Sequence, residues 1–179
     1  LWRTNNRGIS FDVLFADQAD VFSIGAIAVS QTNSNVLYLG SGEGNNSRSS
    51  YWGNGMYKST DYGDTWTNVG LPESHHFGRI VVHPTNPDVV YAAALGKLYS
   101  ENDERGLYKT TNGGRSWDQV LAPDVEGRTI GVVDVVMSPA DPNTLYAATY
   151  DKVRLPYTFD LAGPGSRVYK TTDGGDNWI

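Results

Sequence analysis

With 179 residues, a net charge of −6, 14 Lys and Arg scattered along the chain and no cysteine, this sequence has room for one domain with a core. It offers no basic field for phosphates, so nucleic acid is excluded as an expected partner, and disulfides, thiol catalysis and cysteine-ligated zinc are excluded outright. Twenty glycines, eight prolines and 12% aromatic residues point to short strands and turns, and runs such as Ile80-Val81-Val82 are too short to span a bilayer.

In chain order, Leu1 opens the sequence without a signal peptide, as expected if processing or truncation removed the true start. Residues 1–20 read as the end of a repeat unit, because Trp2-Arg3-Thr4-Asn5-Asn6-Arg7-Gly8-Ile9-Ser10-Phe11 is a worn copy of a box that returns three times. Residues 21–70 hold a strand near 26–30, an Asn33-Ser34-Asn35 turn and a strand near 36–41. Strands near 55–60 and 65–69 then flank the box Tyr57-Lys58-Ser59-Thr60-Asp61-Tyr62-Gly63-Asp64-Thr65-Trp66. Residues 71–122 repeat this order as Ile80-Val81-Val82-His83-Pro84, Asn86-Pro87-Asp88, Val89-Val90-Tyr91-Ala92-Ala93 and a box from Tyr108 to Trp117. Residues 123–179 repeat it again as Val135-Val136-Met137-Ser138-Pro139, Asp141-Pro142-Asn143, Thr144-Leu145-Tyr146-Ala147-Ala148 and a box from Tyr169 to Trp178, with the last strand cut short.

Boxes spaced by about 50 to 60 residues lie at the long end for four-stranded propeller blades. The expected fold is all-β: a β-propeller segment of about three four-stranded antiparallel blades, strands A to D, with the box at each C-to-D turn and helix nearly absent. Rings close with several blades, so this segment is expected to belong to a propeller of about six to eight. The flanks of an open arc then need cover, from the remaining blades of the same polypeptide or from partner chains.

The box itself reads as turn chemistry. Its Ser or Thr and its Asp offer short acceptors for turn amides, its glycine takes a backbone conformation closed to other residues, and its Trp covers the blade edge. Ser59, Asp61, Gly63 and Trp66, and Thr171, Asp173, Gly175 and Trp178, fit the pattern Ser/Thr-x-Asp-x-Gly-x-x-Trp completely. That pattern resembles the Asp box of sialidases, xyloglucanases and sortilin-type propellers, and the resemblance implies a structural role for it. The copies at Thr110, Asn112, Gly114 and Trp117 and at Thr4, Asn6, Gly8 and Phe11 depart from it at the Asp position, which is expected to loosen those turns. His75-His76-Phe77-Gly78-Arg79 leading to His83-Pro84, Leu95-Gly96, and Gly163-Pro164-Gly165-Ser166 look like the bacterial sortilin-like proteins. That likeness implies a secreted, cell-surface or periplasmic location and adds little chemistry.

Loops D-to-A and B-to-C share one propeller face, where residues 43–55, 71–78, 96–106, 122–130 and 151–167 converge and where a site is expected. Aligning Pro84 with Pro139 puts Arg79 and Asp134 at equivalent points of strand A, either to grip a carboxylate or sugar hydroxyls or to link blades by a salt bridge. Glu43 and Asp151 stand where strand B leaves for the loop face, as a candidate carboxylate pair or as loop caps. His75 and His76 are candidate ligand donors, although neighbours in an extended segment point apart, and Glu101, Asp103 and Glu104 lack the spacing of a calcium loop. Trp52 and Tyr157, with Tyr51, Tyr99 and Phe159, are rings on which a ligand can stack, or pins for the loops. No cofactor or metal is expected. Two functions remain open: a non-catalytic module binding a protein, peptide or glycan through the loop face, or a fragment of a sialidase-like or xyloglucanase-like glycoside hydrolase whose catalytic residues lie largely elsewhere.

Overall fold

A strand that is apolar at successive positions must be covered on both faces, and Val36-Leu37-Tyr38-Leu39 and Val89-Val90-Tyr91-Ala92-Ala93 are such strands. The computed structural model describes residues 1–16, 23–160 and 163–179, and it supplies that cover by stacking antiparallel sheets side by side. Strands β1 (Trp2–Arg3) and β2 (Asp12–Val13) form a hairpin around the first box. β3 (Ile24–Val29), β4 (Leu37–Ser41), β5 (Met56–Ser59) and β6 (Thr67–Asn68) make the first four-stranded sheet. β7 (Phe77–Val82), β8 (Val90–Ala94), β9 (Gly106–Thr110) and β10 (Asp118–Leu121) make the second. Next come a small hairpin, β11 (Asp124–Val125) with β12 (Arg128–Thr129), and the first two strands of the third sheet, β13 (Gly131–Met137) and β14 (Leu145–Tyr150). A second small hairpin, β15 (Val153–Leu155) with β16 (Thr158–Asp160), precedes β17 (Val168–Thr171), the outer strand of that sheet. Ile179 already exchanges two backbone hydrogen bonds with Lys170, in the position of a fourth strand. Among the described residues the only helical turn is a 3-10 turn at Pro72–Ser74. The architecture is that of consecutive β-propeller blades, and the two small hairpins are elements that the repeat pattern did not announce.

The period-2 alternation of strand B sorts its side chains between two interfaces. Leu37 and Leu39 pack with Phe15, Tyr57 and Trp66 towards the preceding hairpin. Tyr38 joins Phe77, Ile80, Ala92 and Tyr108 between the first two sheets. In the second sheet Val90 and Ala92 look back to that core, while Tyr91 and Ala93 look forward to Val132, Val135 and Leu145. The inner strands β3, β7 and β13 run side by side, and each carries a bulge near its start, between Ile24 and Ala26, Phe77 and Arg79, and Val132 and Asp134. Gly25 and Gly78 occupy the bulges of the first two. A Cβ at Gly25 would collide with the Phe77 carbonyl of the next sheet, and one at Gly78 with the Val133 carbonyl, so glycine permits the close approach.

A polar contact repeats at each sheet junction. Tyr38 lies directly across from Lys58 in the β4–β5 ladder; its hydroxyl donates to the Pro87 carbonyl (3.0 Å), while Lys58 pairs with Asp88 (3.1 Å) in the next sheet. Tyr91 and Lys109 form the same cross-strand pair and both donate to the Gly174 carbonyl of the third sheet, at 2.8 and 2.7 Å. Tyr146 and Lys170 are the third such pair, and with Val168 they lie on an uncovered face.

The four boxes fold alike. The Ser59, Thr110, Thr171 and Thr4 hydroxyls accept from the amides of Gly63, Gly114, Gly175 and Gly8 at 2.8, 3.0, 3.1 and 2.8 Å. All four glycines have φ between 87° and 98°, the region that favours glycine. The expected loosening at Asn112 and Asn6 is not seen. Their amide oxygens accept from Ser116 and Ser10 at 3.0 and 2.9 Å, as Asp61 accepts from Thr65 at 2.9 Å, because that bond needs an oxygen and no charge. The tryptophans differ more than expected. Trp66 is buried and donates within its box to Gly63, and Trp178 donates to Gly175, but Trp117 is only half-buried because its indole reaches out of the box to the Val69 carbonyl of the preceding sheet (2.7 Å).

Trp66→Ala is expected to cost about 3–5 kcal/mol by loss of a large buried side chain, and the half-buried Trp117→Ala less. Ser59→Ala leaves the buried Gly63 amide without its acceptor, at about 1–3 kcal/mol, and Gly78→Ala lowers stability by forcing two inner strands apart. Urea denaturation of each variant beside the wild type measures all four.

Candidate functional site

Three loops meet where β4, β6 and β8 end. The β4–β5 loop is folded back by Glu43 N–H to the Tyr51 carbonyl (3.0 Å) and tied to the next sheet by Gly53 N–H to the His75 carbonyl (2.7 Å). The β6–β7 loop turns sharply through Leu71 and His75, both with φ of 56°, a left-handed value rare without glycine. Its 3-10 turn is capped from the β8–β9 loop, where Glu104 accepts from the Glu73 amide (2.7 Å) and Lys97 pairs with Glu73 (2.5 Å). The Tyr99 hydroxyl closes the ring by donating to the Arg48 carbonyl of the first loop (2.7 Å). Buried Arg105 braces the third loop from within, donating to the Lys97 and Ser100 carbonyls at 2.9 and 2.6 Å, and burial lowers its pKa.

These ties hold open a cleft of about 610 Å³ whose walls include Arg48, Tyr51, Trp52, His75, Lys97 and Tyr99. Trp52 and Tyr51 are exposed at 59% and 69%, so their rings are available to a ligand. Sequence reasoning named Trp52, His75 and His76, and the fold brings them together. His75 and His76 are not in an extended segment: the turn at His75 sets their rings 6.4 Å apart at 67°, so both reach the same cleft. His76 is 2% exposed, and its Nδ1 donates to the Glu43 carbonyl (2.8 Å), which fixes the tautomer. Burial, with Lys152 nearby, lowers its pKa to about 4, and burial first, then Lys97, lowers that of His75.

The other named residues lie elsewhere. Arg79 and Asp134 are ion-paired with each other at 2.8 Å across β7 and β13, both half-exposed, and Arg79 lines a separate trough walled by the inner strands. Asp151 occupies the strand-B exit as Glu43 does, but its buried carboxylate pairs with Arg128 (3.1 Å) and accepts from the Gly165 amide (3.0 Å), tying two loops together. Tyr157 projects into solvent at the tip of the β15–β16 hairpin. Glu101 pairs with Arg105 (3.4 Å), and among the described residues no group of three His or acidic side chains is arranged to hold a metal ion. Sequence reasoning missed Arg48 and Lys97 in the cleft and Lys152 behind it. Nothing local in the sequence marks Lys152 for burial.

The profile of the Sortilin-Vps10 family, described as sortilin, neurotensin receptor 3, matches residues 54–179. The probable oligoxyloglucan-reducing end-specific xyloglucanase of Neosartorya fischeri is 26% identical over 176 residues, 93% of this chain and 18% of that protein. Vacuolar protein sorting/targeting protein 10 of Sordaria macrospora is 28% identical over 90 residues, 50% of this chain and 6% of that protein. The crystal structure of an ancestral GH74 enzyme superposes with a TM-score of 0.59 at 19% identity, covering 89% of this chain and 18% of that one, a likeness of fold. The chain therefore spans under a fifth of each of these relatives.

Because His76 binds its proton less readily folded, near pH 4, than unfolded, near 6.5, its contribution to stability is present above pH 6.5 and lost as pH falls towards 4. The loss amounts to about 3 kcal/mol. His76→Asn keeps a donor for the Glu43 carbonyl without titrating. Urea midpoints at pH 7 and pH 4.5 are expected to separate less for this variant than for the wild type.

Proposed function

This chain belongs to the Sortilin-Vps10 family, and we propose that it serves as a non-catalytic part of a secreted or lumenal propeller, holding a glycan in the loop-face cleft. The observation that carries the reading is the cleft itself: exposed Trp52, Tyr51 and Tyr99 rings beside Ser49, Ser50 and Ser100, on loops cross-tied before any ligand arrives. Flat rings next to hydroxyls suit the apolar faces and polar edges of sugars, and a preformed site spares the entropy of ordering. The xyloglucanase relative supports a saccharide over a protein or peptide ligand, and the xyloglucanase and vacuolar-sorting relatives together support a secreted or lumenal location. Cover for the Tyr146–Lys170 face comes, on this reading, from another blade of the same kind, received as the second and third sheets receive Tyr38 and Tyr91.

The second reading, a glycoside hydrolase fragment, draws on the same relative. Hydrolysis by the usual route needs two carboxylates about 5–9.5 Å apart. Of the candidate acids, Asp151 is engaged with Arg128 and Asp134 with Arg79, which leaves Glu43. A lone carboxylate favours binding over cleavage.

Calorimetry with cellotetraose and xyloglucan oligosaccharides is expected to give saturable binding, weakened about tenfold or more by Trp52→Ala, the loss of one central ring contact. Release of new reducing ends that stops in Glu43→Gln would favour the hydrolase reading instead.

A further inference from the structure

The β4–β5 loop contains the run Asn45-Asn46-Ser47, and no other asparagine of the sequence is followed two residues on by a serine or threonine. An asparagine, a residue other than proline and a hydroxyl, in that order, make the acceptor triplet of N-linked glycosylation, which is used on surface loops of secreted proteins. Residue types alone make a triplet, and the fold decides whether it can be reached. Here Asn45 and Ser47 are exposed, while Asn46 between them has φ of 53° and is buried. The loop is thus pinned at its middle residue and offers the two neighbours to solvent. The Asn45 Oδ1 accepts from the Ser47 amide at 3.2 Å and from the Ser50 hydroxyl, an Asx turn that draws the third residue of the triplet beside the first. The Asn45 Nδ2, the atom to which a sugar is joined, donates to nothing among the described residues. The Ser47 hydroxyl meets only the exposed Ser49 hydroxyl, at 3.3 Å. No ladder pairing involves residues 45–47, and none of the three lines the cleft, whose wall begins at Arg48.

We propose that Asn45 is an N-glycosylation site, which takes a preassembled oligosaccharide from a polyprenyl diphosphate carrier. In the transfer the Asn45 Nδ2 attacks C1 of the first sugar. The new N–C bond forms as the bond from C1 to the diphosphate oxygen breaks, polyprenyl diphosphate leaves with that electron pair, and the amide gives one proton to a base of the transferase. The inference rests on the secreted or lumenal location proposed above, and is independent of what the cleft holds.

The test is secretion of the intact chain, behind an added leader, through the endoplasmic reticulum of a eukaryotic host, as wild type, Asn45→Gln, Ser47→Ala and Ser47→Thr. Releasing the glycan with an amidase in heavy-oxygen water leaves a labelled aspartate where the sugar stood, and mass spectrometry maps it. The label is expected at Asn45 and at no other asparagine, lost in Asn45→Gln and Ser47→Ala and kept in Ser47→Thr. Ser47→Ala retains the Ser47 amide and with it the Asx turn, so its urea midpoint is expected to match that of wild type freed of glycan. That match separates loss of the acceptor hydroxyl from loss of the fold. An unlabelled Asn45 in folded, secreted wild type overturns the site, as does a label that survives Ser47→Ala. The same mapping on protein from its native cells is expected to label Asn45 again. Protein labelled behind the added leader but bare in its native cells overturns the location on which the inference rests. Protein bare in both, yet secreted by its native cells, overturns the site alone.

Discussion

Burial of strand B on both of its faces is the constraint from which the remaining structure follows. Leu37 and Leu39 point one way and Tyr38 the other, and neither set is covered unless a sheet stands on each side. Sheets packed in this way converge on their first strands, and there the backbones come close enough that Gly25 and Gly78 have no room for a Cβ. The bulges at those steps keep the inner strands turning together. Loops leaving the ends of such tightly set strands are brought within hydrogen-bonding distance of one another, which is why the 43–55, 71–76 and 96–105 segments can be cross-tied by side chains and single amides without a disulfide.

The repeat was legible because its chemistry is local. A hydroxyl two residues before an acceptor and four before a glycine specifies a turn wherever it occurs, and the strand positions follow from period-2 alternation on either side. Even the Arg79–Asp134 pairing was accessible, since equivalent points on neighbouring inner strands must be close. The cleft was only half legible. Aromatic residues in long loops mark where a ligand can be met, but the positive φ at His75 that swings both imidazoles to one side leaves no trace in the composition, and adjacent histidines read by strand rules point apart. Lys152 was missed for a related reason. A lysine in a polar insertion is ordinarily solvated, and its burial here is a tertiary event with no local signature. Trp117 shows the converse error: the box pattern placed it at the blade edge, but not the Val69 carbonyl it reaches for, which leaves its ring half-buried.

The loop face uses charge differently from the box face. At the boxes Asp61 is held by amide and hydroxyl donors that lower its pKa to about 2, so the turn keeps its anion across the physiological range. On the loop face three carboxylates enter internal pairs, Glu73 with Lys97, Glu101 with Arg105 and Asp151 with Arg128, and the first two order segments that form the cleft. What is left exposed in the cleft is aromatic. Such a division separates holding the scaffold from meeting a ligand, and it explains how an acidic protein can present a recognition surface that is not acidic.

The Tyr–Lys pairs give the array a sense of direction. Each sheet projects a hydroxyl and an ammonium from one flank and offers turn carbonyls on the other, as Tyr38 and Lys58 meet Pro87 and Asp88, and Tyr91 and Lys109 meet Gly174. The two flanks are complementary but not self-complementary, so like flanks cannot be joined, and a sheet inserted backwards would set donors against donors. A whole repeat copied in register, however, arrives with both halves of the junction already written into it. Growth by tandem duplication of the coding segment therefore needs no new interface to evolve, and the unit on which selection acts is the blade with its forward-pointing pair rather than the individual strand.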